Sequence, residues 1–172
     1  MDIRRALPDD ALGVATVHVR SWQAAYRGLL PDVYLDQLDV ERRRVGWART
    51  IEETEWPRNG TLVATKANAN VVGFAHVGPA RDDDLDPAVV GELAAIYALP
   101  EVWGSGVGRR LMAAAANVLR DAGFGDAILW VLEGNDRARR FYEIGGWGPD
   151  GTAKDVMIAD TPLAEVRYRL VL

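Results

Sequence analysis

The sequence predicts an α/β fold: a mixed, largely antiparallel β-sheet flanked by helices, with one parallel strand, helix, strand unit from Val89 to Leu132. Three observations carry this prediction. Segments of helical and extended character follow the order strand, two helices, three strands, helix, strand, helix, two strands. Three consecutive segments rich in β-formers and separated by turn residues read as a meander. An amphipathic helix set between two strands then calls for a crossover, which makes those strands parallel.

A chain of 172 residues, 49% apolar and 26% charged, is sized for one domain over 1–172 that buries about two-thirds of its unfolded surface. Its 25 acidic and 20 basic residues leave a formal charge of −5, without the basic footprint of a nucleic-acid binder. The absence of cysteine removes disulfides, thiolate metal sites and a cysteine nucleophile. No apolar run approaches the ~20 residues that span a bilayer, and Met1-Asp2-Ile3-Arg4-Arg5 opens without an apolar leader. The expectation is a cytoplasmic protein with no membrane partner.

Ile3 to Ala6 forms a short strand, and Pro8-Asp9-Asp10 turns the chain into an acidic helix start. Leu12, Ala15, Val19, Trp22 and Tyr26 recur every three or four residues, so they share one face of a helix running to about Ala25, with His18 on its flank. Gly28 and Pro31 end that helix. A second helical stretch, 33–53, breaks near Leu38-Asp39 and carries Arg42, Arg43 and Arg44. Pro57 and Asn59-Gly60 mark the change to strands: Thr61 to Lys66 and Val71 to Val77, joined as a hairpin through Ala67-Asn68-Ala69-Asn70, then Val89 to Leu99. Pro79 to Pro87, with Asp82, Asp83, Asp84 and Asp86, reads as a solvated loop. Val107, Leu111, Ala114, Ala115, Val118 and Ala122 trace the next helix, which Gly123 stops. Ala127 to Leu132 is an apolar strand. Asn135 caps a short helix that runs through Ile144 and ends at Gly145-Gly146. Strands near Lys154 to Ile158 and Glu165 to Val171 finish the chain.

Gly104-Ser105-Gly106-Val107-Gly108-Arg109 stands between the strand ending at Leu99 and the helix starting near Val107. A helix N-terminus offers unpartnered N–H groups and the positive end of the helix dipole, and glycines let a guest approach the backbone, so phosphate is the natural ligand. A plain strand-to-helix turn needs fewer than three glycines at alternate positions. Arg109-Arg110 after Gly108 is not the Lys-Ser or Lys-Thr of a P-loop. A dinucleotide fingerprint is the nearer alternative, because Glu133 ends the next strand where a ribose-binding acid belongs. Against it, the spacing is G-x-G-x-G, and a meander precedes it.

With Pro100 and Trp103 ahead and Leu111-Met112 behind, the glycine turn resembles the acyl-CoA pyrophosphate loop of the GNAT N-acetyltransferase superfamily, Gln/Arg-x-x-Gly-x-Gly/Ala. Leu129 to Tyr142, with Asn135, Ala138, Phe141 and Tyr142 at matching spacing, resembles the strand and helix this family lays beside its cofactor. The likeness covers most of the chain, including Ile3 to Ala6 and Glu165 to Tyr168. Trp103 departs from it, since the family commonly has Gln or Arg there. The resemblance implies a GNAT-like sheet and an acyltransferase that moves acetyl from acetyl-CoA to a primary amine of a small molecule or peptide, by direct attack in a ternary complex and without a metal. It implies backbone contacts from Gly104, Ser105, Gly106, Val107, Gly108 and Arg109 to the pyrophosphate. Asn135 and Ala138 then lie beside the cofactor, and the backbone of Ala98 and Leu99 lies against the pantetheine and the thioester carbonyl, with an N–H polarising that carbonyl. Family members are often dimers, so a homodimer is one assembly it allows.

Acetyl transfer to an amine needs a neutral nucleophile and a proton for the departing thiolate. Glu92 lies eleven positions before Trp103, the spacing at which family members carry a strand glutamate as general base. A carboxylate there also suits a surface position or a cationic acceptor. Tyr142 matches the family's general acid, and a phenol of pKa about 10 keeps its proton at neutral pH. His18 and His76 have no Ser, Cys or metal-ligand partner in sequence and read as structural or acceptor-facing rather than catalytic. Trp22 and Tyr26 join them as candidate acceptor contacts, although an aromatic core stripe explains those two equally well. The acidic Asp82 to Asp86 loop suits a cationic acceptor such as a polyamine or amino sugar, as does the net charge. Two rival functions stay open: a non-catalytic acyl-CoA sensor and a dinucleotide-binding oxidoreductase.

Overall fold

The computed structural model describes residues 1–66 and 70–172; residues 67–69 of the expected hairpin turn lie outside them. In chain order the elements are β1 (Asp2–Arg5), α1 (Ala11–Ala25), α2 (Asp32–Asp36), α3 (Val40–Glu52), β2 (Gly60–Thr65), β3 (Val71–Pro79), β4 (Val90–Ala98), α4 (Val107–Asp121), β5 (Asp126–Leu132), α5 (Asp136–Ile144), β6 (Gly148–Ile158) and β7 (Thr161–Val171). The strands form a seven-stranded sheet in the order β1-β2-β3-β4-β5-β7-β6. Every pairing is antiparallel except β4 with β5.

Strand alternation sorts the core into two layers. Leu62 and Ala64 of β2 pack with Leu111, Ala115 and Leu119 of α4, whereas Val63 between them packs with Val14 and Val17 of α1 and Ile51 of α3. β2 is therefore buried on both faces, which is why it reads as a nearly unbroken apolar run. The buried side of α1 is Ala11, Val14, Ala15, Val17, Val19 and Ser21. Leu12, expected on that side, is 49% exposed, because α1 packs against α3 as well as the sheet and its buried arc is displaced from the stripe drawn through Leu12.

The two terminal strands are longer than their apolar stretches announce. Gly148-Pro149-Asp150-Gly151 has turn chemistry, yet it belongs to β6, where the register with β7 shifts between Pro149 and Ala153. β6 is the outermost strand, where proline and a bulge are tolerated. Ala159 and Asp160 turn the hairpin with φ of 49° and 56°, a conformation that sequence reading expects from Asn-Gly or Asp-Gly.

The loop from β3 to β4 is not merely solvated. Arg167 of β7, its side chain 5% exposed, donates to Asp82 (2.9 Å) and Asp84 (2.8 Å and 2.8 Å) of that loop and to Asp150 (2.7 Å) and Thr152 (2.9 Å) of β6. All five guanidinium N–H groups are thereby used. Asp82 also accepts from the indole N–H of Trp130. Long side chains thus tie loop, β5, β6 and β7 together beside the glycine-led parallel unit. Among the described residues, no helix is long and apolar enough to cross a membrane.

Candidate active site

β4 and β5 pair only where Val90–Glu92 meets Asp126–Ile128, although the strands run on to Ala98 and Leu132. Ala94 is an extra residue in the β3–β4 register, which steps from Val77↔Leu93 to His76↔Ala95. A bulge of this kind bends its strand, here just where β4 leaves β5. Between the parting strands lies a cleft of about 620 Å3, walled by β4, β5, the start of α4 and α5.

The glycine turn opens into this cleft. Gly104 and Gly106 have φ of 79° and 86°, which glycine adopts at little cost. The bond from the Arg110 N–H to the Gly106 carbonyl, 3.1 Å, begins the α4 ladder, so the Val107, Gly108 and Arg109 amides precede it and are left for a guest. Gly104, Gly106, Val107, Gly108 and Arg109 line the cleft; Ser105 does not. Its hydroxyl and N–H donate to the Val102 carbonyl at 2.6 and 3.2 Å.

Trp103 fills its place in a different way from a glutamine or arginine. Its indole N–H donates to the Ala98 carbonyl at 2.8 Å, and the Arg137 guanidinium lies 3.6 Å over its ring. Ala98 lines the cleft, whereas Leu99 does not. The Leu99 N–H already donates to the Val72 carbonyl at 2.9 Å, so it is not the donor to a thioester carbonyl.

α5 is held in place by its cap and by Tyr168. The Asn135 side chain accepts from the Ala138 N–H at 3.1 Å, and both residues line the cleft. The fully buried Tyr168 donates to Glu143 at 2.8 Å and accepts from Arg139 at 3.1 Å, fastening the helix to β7. Tyr142 thereby faces the cleft. Burial, and after it the neighbouring Tyr97, push its phenol above the usual range, so it holds its proton at neutral pH.

Glu92 lies at the narrow end of the cleft, where the strands still pair, and is 3% exposed. Arg81 grips it through Nη2 (2.6 Å), Nε (3.0 Å) and its backbone N–H (3.2 Å). Oε1 accepts one of these bonds and Oε2 two, so Oε1 keeps accepting capacity. Trp22 and Tyr26 line the same cleft. Burial, then Tyr97, raises the Tyr26 phenol well above its usual value.

His18 and His76 are not among the cleft residues. His18 stacks on Tyr97 (5.2 Å between centroids), and its Nδ1 accepts from the Trp47 indole at 3.0 Å. His76 shares a 3.0 Å hydrogen bond with Thr61. Burial first, then Arg43 for His18 and Arg81 for His76, lowers both to a pKa of about 4. Neutral imidazoles held in this way serve packing, and the structure does not bring them into the lining of the cleft. Sequence reading missed Arg81, Trp130, Arg137, Lys154 and Glu165, all of which line the cleft. Trp130 and Arg137 lie inside the Leu129 to Tyr142 motif and Glu165 opens the terminal Glu165 to Tyr168 segment, but nothing in the spacing marks them as cleft residues.

Fold and cleft together define an acetyltransferase architecture, and the Acetyltransferase (GNAT) family model matches residues 21–146. The chain belongs to this family and is an N-acetyltransferase. The uncharacterized N-acetyltransferase YuaI of Bacillus subtilis is 34% identical over 166 residues, 95% of this chain and 89% of that protein. PaiA N-acetyltransferase from Thermoplasma acidophilum, solved in complex with coenzyme A, superposes with a TM-score of 0.75 at 19% identity, covering 99% of this chain and 98% of that one. YncA from Salmonella typhimurium, solved with acetyl-CoA, gives 0.73 at 19% identity, covering 99% and 93%. At that identity the two structures speak for a shared fold.

Proposed function

We propose that the chain transfers acetyl from acetyl-CoA to a primary amine, with both substrates bound together in the β4–β5 cleft. The observation that carries this reading is the meeting, on one cleft, of the free α4 amides, Tyr142 and Glu92. The amides of Gly104 and of Gly106 to Arg109 suit a pyrophosphate, and the positive φ of Gly104 and Gly106 is what lets that backbone curl around it. PaiA and YncA, which share the fold, were solved with coenzyme A and acetyl-CoA. Acetyl-CoA supplies the activated acyl carbon; this chain's residues supply orientation and proton transfer.

The acceptor arrives as an ammonium and gives up two protons. Glu92 accepts the first through Oε1, directly or by way of a water, and passes it to solvent. The freed nitrogen bonds to the acetyl carbon as the carbon–sulfur bond breaks. Tyr142 donates its phenolic proton to the departing sulfur and is replenished by the second proton. The Arg81 grip keeps Glu92 aimed and leaves Oε1 with accepting capacity for the proton.

Thiol release from acetyl-CoA with a panel of primary amines tests this function. Amine-dependent release with a mass gain of one acetyl group on the amine is the expected result. Binding of acetyl-CoA without release by any amine would make the protein a sensor. Thermal stabilisation by NAD and not by acetyl-CoA would restore the dinucleotide reading.

A further inference from the structure

The charged side chains at the acceptor end of the cleft are layered by sign. Arg81 and Lys154 have side chains 73% and 43% exposed, whereas their partners Glu92 and Glu165 are 4% and 22% exposed. All four line the cleft. An arriving molecule therefore meets two cations at the rim before it meets either carboxylate.

Both rim cations have capacity left. Arg81 uses Nε and Nη2 on Glu92, and its Nη1 has no acceptor among the described residues. The Lys154 ammonium stands 3.5 Å from Glu165 and 3.8 Å from the Trp130 ring centroid, with no closer partner among the described residues. Trp130, under the Lys154 ammonium, is fixed in place, because its indole N–H is held by Asp82 and Asp82 by Arg167. The acids that first suggested a polycationic acceptor face elsewhere. Asp82 and Asp84 bind Arg167, Asp86 accepts from the Ala88 N–H, and no residue of the Asp82 to Asp86 run lines the cleft.

Resting on the proposed acetyl transfer, we infer that the acceptor is a primary amine that also carries an anionic oxygen group, a carboxylate or a phosphate. Its amine leads toward Glu92, and its anionic group stays at the rim on Arg81 and Lys154. An amino acid or an aminoalkyl phosphate has this shape of charge; a polyamine does not. Lys154 is the specificity residue open to test, since removing Arg81 also releases Glu92.

The test compares matched pairs with the full chain and acetyl-CoA: amino acids against their carboxamides, aminoalkyl phosphates against the parent amino alcohols, and spermidine as the polycation. The expected result is a kcat/KM about tenfold or more higher for the anionic member of a pair, the range of one charge-assisted hydrogen bond. Whether carboxylates or phosphates show the preference separates the two sources. Lys154→Glu should shrink the ratio within the pair toward one, mainly through KM, and Lys154→Arg should restore it. Lys154 is exposed on β6, so these variants change its contacts with Glu165 and the Trp130 ring and leave the core untouched. Equal or greater use of the neutral amines or spermidine overturns the inference, as does an unchanged ratio in Lys154→Glu. Failure of every amine to release thiol is a different result: it overturns the transferase reading beneath.

Discussion

The guanidinium of Arg137 lies 3.6 Å over the Trp103 ring, and the indole N–H of that tryptophan is held by the Ala98 carbonyl. The first turn of α5 is thus coupled across the cleft to the loop that leaves β4. Trp103→Ala and Arg137→Ala should each raise the KM for acetyl-CoA, by about tenfold, as expected for a cation–π pair in a partly desolvated site. Since each needs the other, the double variant should lose little beyond either single one. Steady-state kinetics on the four proteins checks this; additive losses would mean that the two residues act separately.

Gly106→Ala tests the phosphate cradle by strain alone, because a Cβ at Gly106 meets nothing within 4 Å. At φ of 86° an alanine costs about 1 kcal/mol, a fall in Tm of roughly 2–4 °C for a chain of this size. Gly28 also has positive φ, 84°, and open space around it, but lies off the cleft. Gly28→Ala should therefore show a similar Tm loss with the acetyl-CoA KM unchanged, while Gly106→Ala raises that KM. Thermal melts and initial rates on both variants make the comparison.

Stability should fall on acidification because of His18 and His76. Both have folded pKa values near 4 against 6.5 for a free imidazole, so the unfolded chain binds more protons between those values. Unfolding free energy then rises with pH from about 4 to 6.5, is flat above, and is lost as pH falls through that window. Each histidine accounts for about 2 kcal/mol between pH 6.5 and 5. Urea titrations at pH 5, 6 and 7 should show this slope, reduced in His18→Gln and again in His76→Gln. A slope unchanged by both substitutions would assign the acid sensitivity elsewhere.

Arg167→Met leaves three carboxylates around an apolar side chain. Removing one partner of a buried ionic network costs about 3–5 kcal/mol, a Tm fall on the order of 10 °C. Asp84→Asn should cost far less, because Asp84 is 59% exposed and Arg167 retains Asp82 and Asp150. Differential scanning calorimetry gives both values, and equal losses would show that the network does not hinge on Arg167.

What was legible in the sequence was whatever depends on neighbours along the chain. The α4 stripe from Val107 to Ala122, the stop at Gly123 and the Asn135 cap follow from spacing and local hydrogen bonding, and the structure has them where spacing puts them. The cleft itself was not legible, because it depends on β4 and β5 ceasing to pair after Glu92 and Ile128, a fact about two strands with a helix between them. Nor was the role of the acidic loop. Asp82 and Asp84 look solvated until Arg167, more than eighty positions away, is seen to fold back on them. Pro149 and Asp150 have the chemistry of a turn, and only the free edge beside β7 turns them into a bulged strand.

Tyr142→Phe, compared with the parent chain for acetyl-CoA dissociation constant and for single-turnover thiol release with a working amine, tests the assignment of acetyl transfer to this cleft. Loss of the proton donor with the ring retained should slow release about 100-fold and leave the dissociation constant within about twofold, since the proposed phosphate contacts are backbone amides at the start of α4 and not the phenol. Release at the parent rate, or a loss of binding as large as the loss of rate, would contradict the assignment.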